Sequence, residues 1–131
     1  MEPQALTELR EIRLGAWEGQ LFDTVRKTNP QEFQRRGDHI AEHRPPGGES
    51  FDDLQHRVWP VFTKAACLPD RTILMVTHAG VIRVLLCRLL GMPLKNLFRI
   101  ALTYGSLSII DFGPKGYRVR AVNLSPSFLG H

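Results

Sequence analysis

The sequence predicts an α/β domain, and three stretches carry that expectation. Thr72–Thr77 is an apolar run of strand length that ends at His78, and an apolar-periodic segment follows with no linker, as when a buried strand feeds a helix. Upstream, Phe51, Leu54, Val58, Val61, Phe62 and Ala65 recur at helical spacing. Downstream, two β-rich runs, Ser106–Phe112 and Tyr117–Leu124, flank Gly113-Pro114-Lys115-Gly116, the pattern of a hairpin with a four-residue turn.

Taken in order, Met1–Arg13 mixes charged and apolar residues, with an extended segment expected around Leu9–Ile12. Gly15 and Gly19 bracket Ala16-Trp17-Glu18 and predict a compact loop. A helix is expected over Leu21–Lys27, and Asn29-Pro30 then supplies a cap and a first-position proline for a second short helix to about Arg36. Gly37–Gly48 is polar, ends in Pro45-Pro46-Gly47-Gly48 and reads as a surface loop. Ser50 is a good N-cap, with Asp52 and Asp53 in the first turn, so a helix is predicted from Phe51 to about Ala66, kinked but not broken at Pro60. After the turn Leu68-Pro69-Asp70 and the strand comes a helix from Ala79 to about Leu90, closed by Gly91, and then a short helix over Leu94–Arg99. Apolar and polar residues alternate from Tyr117 to Asn123, so the last strand is expected at a half-solvated edge.

Composition narrows the function classes. The 131 residues suffice for one domain, and 43% hydrophobic with 23% charged residues is ordinary for a globular protein. Seventeen Lys and Arg against 13 acids give a net charge of +4, which favours anionic ligands. The basic residues are scattered singly, so no nucleic-acid patch is expected. Cys67 and Cys87 read as small core residues of a reducing compartment. No apolar run approaches the length needed to cross a bilayer and no signal peptide is visible, so the expected location is the cytoplasm, with no membrane partner.

Four residues are candidate reagents: His78 at its strand end, Glu11 and Glu18 flanking the glycine loop, and Glu49 before a helix. An imidazole beside a helix N-terminus, with a carboxylic acid near, suits phosphoryl transfer, which needs anion positioning and a proton for the leaving oxygen. Each has a structural alternative. His78 fits a buried, hydrogen-bonded histidine, each glutamate a solvated surface group, and Glu49 a charge on a helix dipole. His39-Ile40-Ala41-Glu42-His43 matches the H-x-x-E-H pattern of inverted zinc peptidases. That motif requires a well-formed helix, whereas this stretch is short and poor in apolar residues, so a solvated face is the better reading.

Three ordered motifs strongly resemble the histidine phosphatase, or phosphoglycerate mutase-like, superfamily. They are Leu9-Arg10-Glu11-Ile12-Arg13-Leu14-Gly15-Ala16-Trp17-Glu18-Gly19, Pro45-Pro46-Gly47-Gly48-Glu49-Ser50-Phe51 and Val76-Thr77-His78-Ala79-Gly80-Val81-Ile82-Arg83. The wording of the first two is similar to the phosphatase branch that includes α-ribazole phosphatase of cobalamin synthesis. The resemblance implies a three-layer phosphoglycerate mutase-like α/β fold, a mostly parallel sheet with an antiparallel edge hairpin. It implies His78 as the second histidine, contacting the transferred phosphoryl group, and Glu11 as proton donor to the leaving alcohol. Thr77, Ala79 and Gly80 are the implied substrate-binding positions around His78, with no metal or other cofactor.

In the resembled family the nucleophile is another histidine, in an Arg-His-Gly motif ending the first strand, and this sequence contains no Arg-His-Gly. A phosphate-binding arginine in a segment like S-D-L-x-R-A-x-x-T is absent too. His39, His43, His56 and His131 lack the required neighbours. Residues 1–131 are therefore expected to form a single, N-terminally incomplete domain lacking the first strand and helix. The expected role is hydrolysis of a small phosphate ester, α-ribazole 5'-phosphate among the candidates, with turnover abolished or impaired in this chain. The alternative is a non-catalytic module that binds anions or a partner. The missing strand would leave Thr72–Thr77 as an exposed hydrophobic edge, open to self-association.

Overall fold

The computed structural model describes residues 2–69 and 72–129. Its regular elements are α1 (Phe22–Thr28), α2 (Pro30–Asp38), α3 (Phe51–Ala66), α4 (Ala79–Leu89), β1 (Leu107–Gly113) and β2 (Gly116–Leu124), with 3-10 turns at Thr7–Leu9, Gly15–Trp17, Leu94–Arg99 and Pro126–Leu129. His131 and part of the Leu68–Asp70 turn lie outside the described residues.

α3 is the central element. Ser50 Oγ accepts from the Asp53 N–H and Asp53 Oδ2 accepts from the Ser50 N–H, each at 3.0 Å, which closes the capping box expected from the sequence. Arg44 adds two contacts to the same carboxylate, and this hydrogen bonding holds Asp53 well below the usual carboxylate range. The helix runs unbroken through Pro60. Its Phe51, Leu54, Val58 and Phe62 pack against Val81, Val84, Leu85 and Cys87 of α4 and against Leu97, forming the core. Gln55 crosses the interface, donating from Nε2 to the Val84 carbonyl at 2.8 Å. Gly91, at φ +63°, ends α4 as expected, with the Met92 N–H returning to the Cys87 carbonyl at 2.8 Å. Cys87 is buried in this core as expected, whereas Cys67 is exposed at the C-cap of α3, which corrects its reading as a core residue.

β1 and β2 form an antiparallel hairpin that turns between Gly113 and Gly116, the only ladder among the described residues. Asn123 takes a left-handed φ of 59° and accepts from the Thr103 N–H and hydroxyl, at 2.7 and 3.0 Å, tying β2 to the loop before β1.

The buried strand expected at Thr72–Thr77 is corrected. The segment enters α4 extended but belongs to no ladder, and its side chains are largely bare: Leu74 is 73% and Val76 85% exposed. Met75 and Thr77 are half-buried, and Met75 packs against the core. The apolar composition is that of a strand buried between neighbours, and among the described residues no strand lies beside it to bury those side chains.

Candidate active site

The site is assembled by two backbone segments brought together through Glu49 and Arg57. Glu49 is 7% exposed and its main-chain N–H donates to the Arg13 carbonyl at 2.8 Å, while the Arg13 N–H donates to Glu49 Oε2 at 3.0 Å. The loop before Glu49 lies flat on residues 13–16, because Gly48 has no Cβ to strike the Arg13 carbonyl and Gly15, at φ +57°, none to strike Pro46. The first two sequence motifs are thus one structural unit.

Arg57, on α3, locks that unit. Its guanidinium donates to both Glu49 oxygens at 3.0 Å and also to the carbonyls of Glu8, Arg10 and Glu11. Burial alone would push the Glu49 carboxyl up, but the Arg57 and Arg13 donors outweigh it and hold the group below its ordinary value. Glu49 is therefore fully engaged in holding the fold, by an ion pair and not simply by the helix dipole. Glu18 likewise serves the loop, accepting the Leu14 N–H at 2.7 Å.

Held by its carbonyl, the half-buried Glu11 sends its carboxylate to the start of α4. Oε1 accepts the Ile12 N–H at 2.9 Å and Oε2 accepts the Gly80 N–H at 3.2 Å. Gly80 is buried, and a Cβ there would overlap the Glu11 carboxylate. Thr77 donates its hydroxyl to the Leu9 carbonyl at 2.7 Å, a second tie between the segments. His78 is the N-cap residue of α4, with extended backbone and an exposed side chain, not the buried histidine of the structural alternative. Ala79 opens the helix.

His78, Glu11, Ala79 and Gly80 line one open groove of about 760 Å³, together with Arg10, Arg13, Arg36 and Arg83. Such a surface has what an anion requires: a helix N-terminus, an imidazole and guanidinia. Sequence reasoning gave no role to Arg57, Arg36 or Arg83. Glu49 lies before the N-cap of α3 and eight positions from Arg57, outside the spacing at which helical neighbours pair, so no local signal marks any of the three.

The H-x-x-E-H stretch does not form a metal site. α2 ends at Asp38, so His39 to Glu42 lie in a turn, and His43 pairs through Nε2 with Glu32 at 2.9 Å and stacks on Trp17. Its side chain is only 12% exposed, which corrects the solvated-face reading at that residue. Among the described residues no cluster of three or more potential metal ligands occurs. No described helix is long and apolar enough to cross a membrane.

Sequence and fold match known proteins, and the class they define is that of the histidine phosphatases. The chain belongs to the histidine phosphatase superfamily (branch 1), whose family model matches residues 1–125. Among its relatives, the bifunctional protein Rv2228c of Mycobacterium tuberculosis is 37% identical over 118 residues, 88% of this chain and 32% of that protein. The crystal structure of the α-ribazole phosphatase from Shigella flexneri superposes with a TM-score of 0.78 at 26% identity, and Bacillus stearothermophilus YhfR with 0.78 at 31%; each match covers 90% of this chain and 59% of the solved chain. The chain thus spans less than two-thirds of the length of these relatives, and the shared part has the α/β phosphoglycerate mutase-like fold.

Proposed function

We propose that this domain is the second-histidine half of a phosphomonoesterase site, one that receives the phosphoryl group of a small ester in the groove at the start of α4. The observation that carries the reading is the Glu11 carboxylate on the Gly80 N–H, beside the exposed His78 at the same helix N-terminus. His78, with the Ala79 N–H at the helix start, would take the phosphoryl oxygens, while the Gly80 N–H positions Glu11. Glu11, protonated, would hand its proton to the leaving alkoxide, so that departure does not require a free alkoxide in water. No metal or other cofactor enters this scheme, and the enzyme would be cytoplasmic. α-Ribazole 5'-phosphate is one ester of suitable size, suggested by the relative of that name.

The sequence holds no Arg-His-Gly nucleophile, so the covalent phosphohistidine route lacks its attacking group. The chain of 131 residues should therefore release phosphate from p-nitrophenyl phosphate no faster than its His78→Ala variant. Robust turnover that the substitution abolishes would overturn the assignment of inactivity.

The bare apolar edge at Leu74 and Val76 favours a second reading, a non-catalytic module that binds a partner or a second copy there. Titration with inorganic phosphate separates the two, because only the first requires a response at His78.

A further inference from the structure

The groove that holds His78 is also lined by a second cation, Arg36. Arg36, in the last turn of α2, is half-buried, with its guanidinium carbon 5.8 Å from the ring centre of Phe22 and 5.5 Å from that of Phe51. Phe51 meets Phe98 edge to face at 5.6 Å, and Arg83 lies over Phe98 at 5.4 Å. Arg36, Phe51, Phe98 and Arg83 therefore form a continuous row along the groove that also contains Glu11 and His78.

The two guanidinia in this row are differently satisfied. Arg83 donates from Nε to the Ile100 carbonyl at 3.0 Å. Arg36 has no carboxylate partner among the described residues, and burial alone lowers its pKa from the ordinary arginine value. Its neighbour Arg35 takes Glu32. The carboxylates in the groove, Glu11 and Glu18, already accept backbone N–H groups. A partly desolvated cation without a counterion is unfavourable, and contact with two aromatic faces offsets only part of that. An anionic ligand would offset more, since the planar fork still has its N–H donors to offer.

Resting on the phosphate-ester reading above, we propose that Arg36 is a specificity-determining residue: the groove takes phosphate esters whose alcohol part carries a second anionic group, bound by Arg36 against the Phe22–Phe51 wall. The phosphoryl end lies at His78 and the second charge at Arg36, both in the lining of the same groove.

The test is a matched pair of esters of equal chain length, butyl phosphate and 3-carboxypropyl phosphate, titrated calorimetrically into the 131-residue chain. The carboxylated ester should bind about tenfold tighter, the size expected of one charge-assisted contact. In Arg36→Gln that preference should fall to within about twofold, while Arg36→Lys, which keeps the charge but not the fork, should retain part of it. Equal affinity of the two esters for the wild-type chain overturns the proposal and leaves the phosphate site standing. A preference undiminished in folded Arg36→Gln overturns the assignment to Arg36. Binding of neither ester overturns the site reading and this proposal together. If Arg36→Gln fails to fold, Arg36→Lys carries the assignment to Arg36: an undiminished preference there overturns it, and equal affinity in the wild-type chain overturns the proposal without any variant.

Discussion

Arg57→Ala is expected to lower the free energy of unfolding by about 3 kcal/mol, near the lower end of the range for stripping one partner from a buried ion pair. The lower end applies because the Arg57 side chain keeps 23% of its exposure, whereas Glu49 keeps 9% and would be left charged and buried. The same change frees three carbonyls, those of Glu8, Arg10 and Glu11, which the guanidinium gathers. Urea denaturation measures the loss. Adding Glu49→Gln to Arg57→Ala should recover part of it, since a neutral amide still accepts the Arg13 N–H without a stranded charge. If the double variant were no more stable than Arg57→Ala, the ion pair would not be what holds the segments together.

Gly80→Ala should do the opposite, moving the site while sparing the fold. The new Cβ would collide with the Glu11 carboxylate, which is the end of a flexible side chain and can swing away. Losing two hydrogen bonds costs about 2 kcal/mol, and replacing glycine by alanine in a helix returns about 1 kcal/mol. Net stability should therefore fall by only about 1 kcal/mol. Glu11 leaves the Gly80 N–H, and the Ile12 N–H that it also accepts loses its partner. The Ile12 amide resonance should accordingly shift and exchange faster with solvent. An Ile12 amide identical to that of the wild type would mean that Glu11 is not held against Gly80.

Where sequence signals are local, they foretold the structure well. Ser50 and Asp53 announce the start of α3, Asn29-Pro30 that of α2, and the hairpin turn lies between Gly113 and Gly116 as its glycines suggest. His78 stands at the N-cap of α4, and Glu11, 67 positions earlier, reaches the same helix turn. What was illegible depends on distant partners. Thr72–Thr77 has the composition of a buried strand, but burial requires neighbours that composition cannot supply. His43 looked solvated within its own polar stretch, and only the approach of Trp17 and Glu32 covers it. The basic residues read as scattered singles, and Arg57 gains its role only from segments that fold onto it from elsewhere in the chain.

The central claim is that the start of α4, with His78 and Glu11, is a phosphoryl-binding site. The most direct test is titration of the chain with inorganic phosphate, followed by NMR at the His78 imidazole and the Gly80 amide. Both signals should shift together and saturate in the millimolar range, and His78→Ala should abolish the response at Gly80. Signals at both positions that stay unmoved through millimolar phosphate would contradict the account.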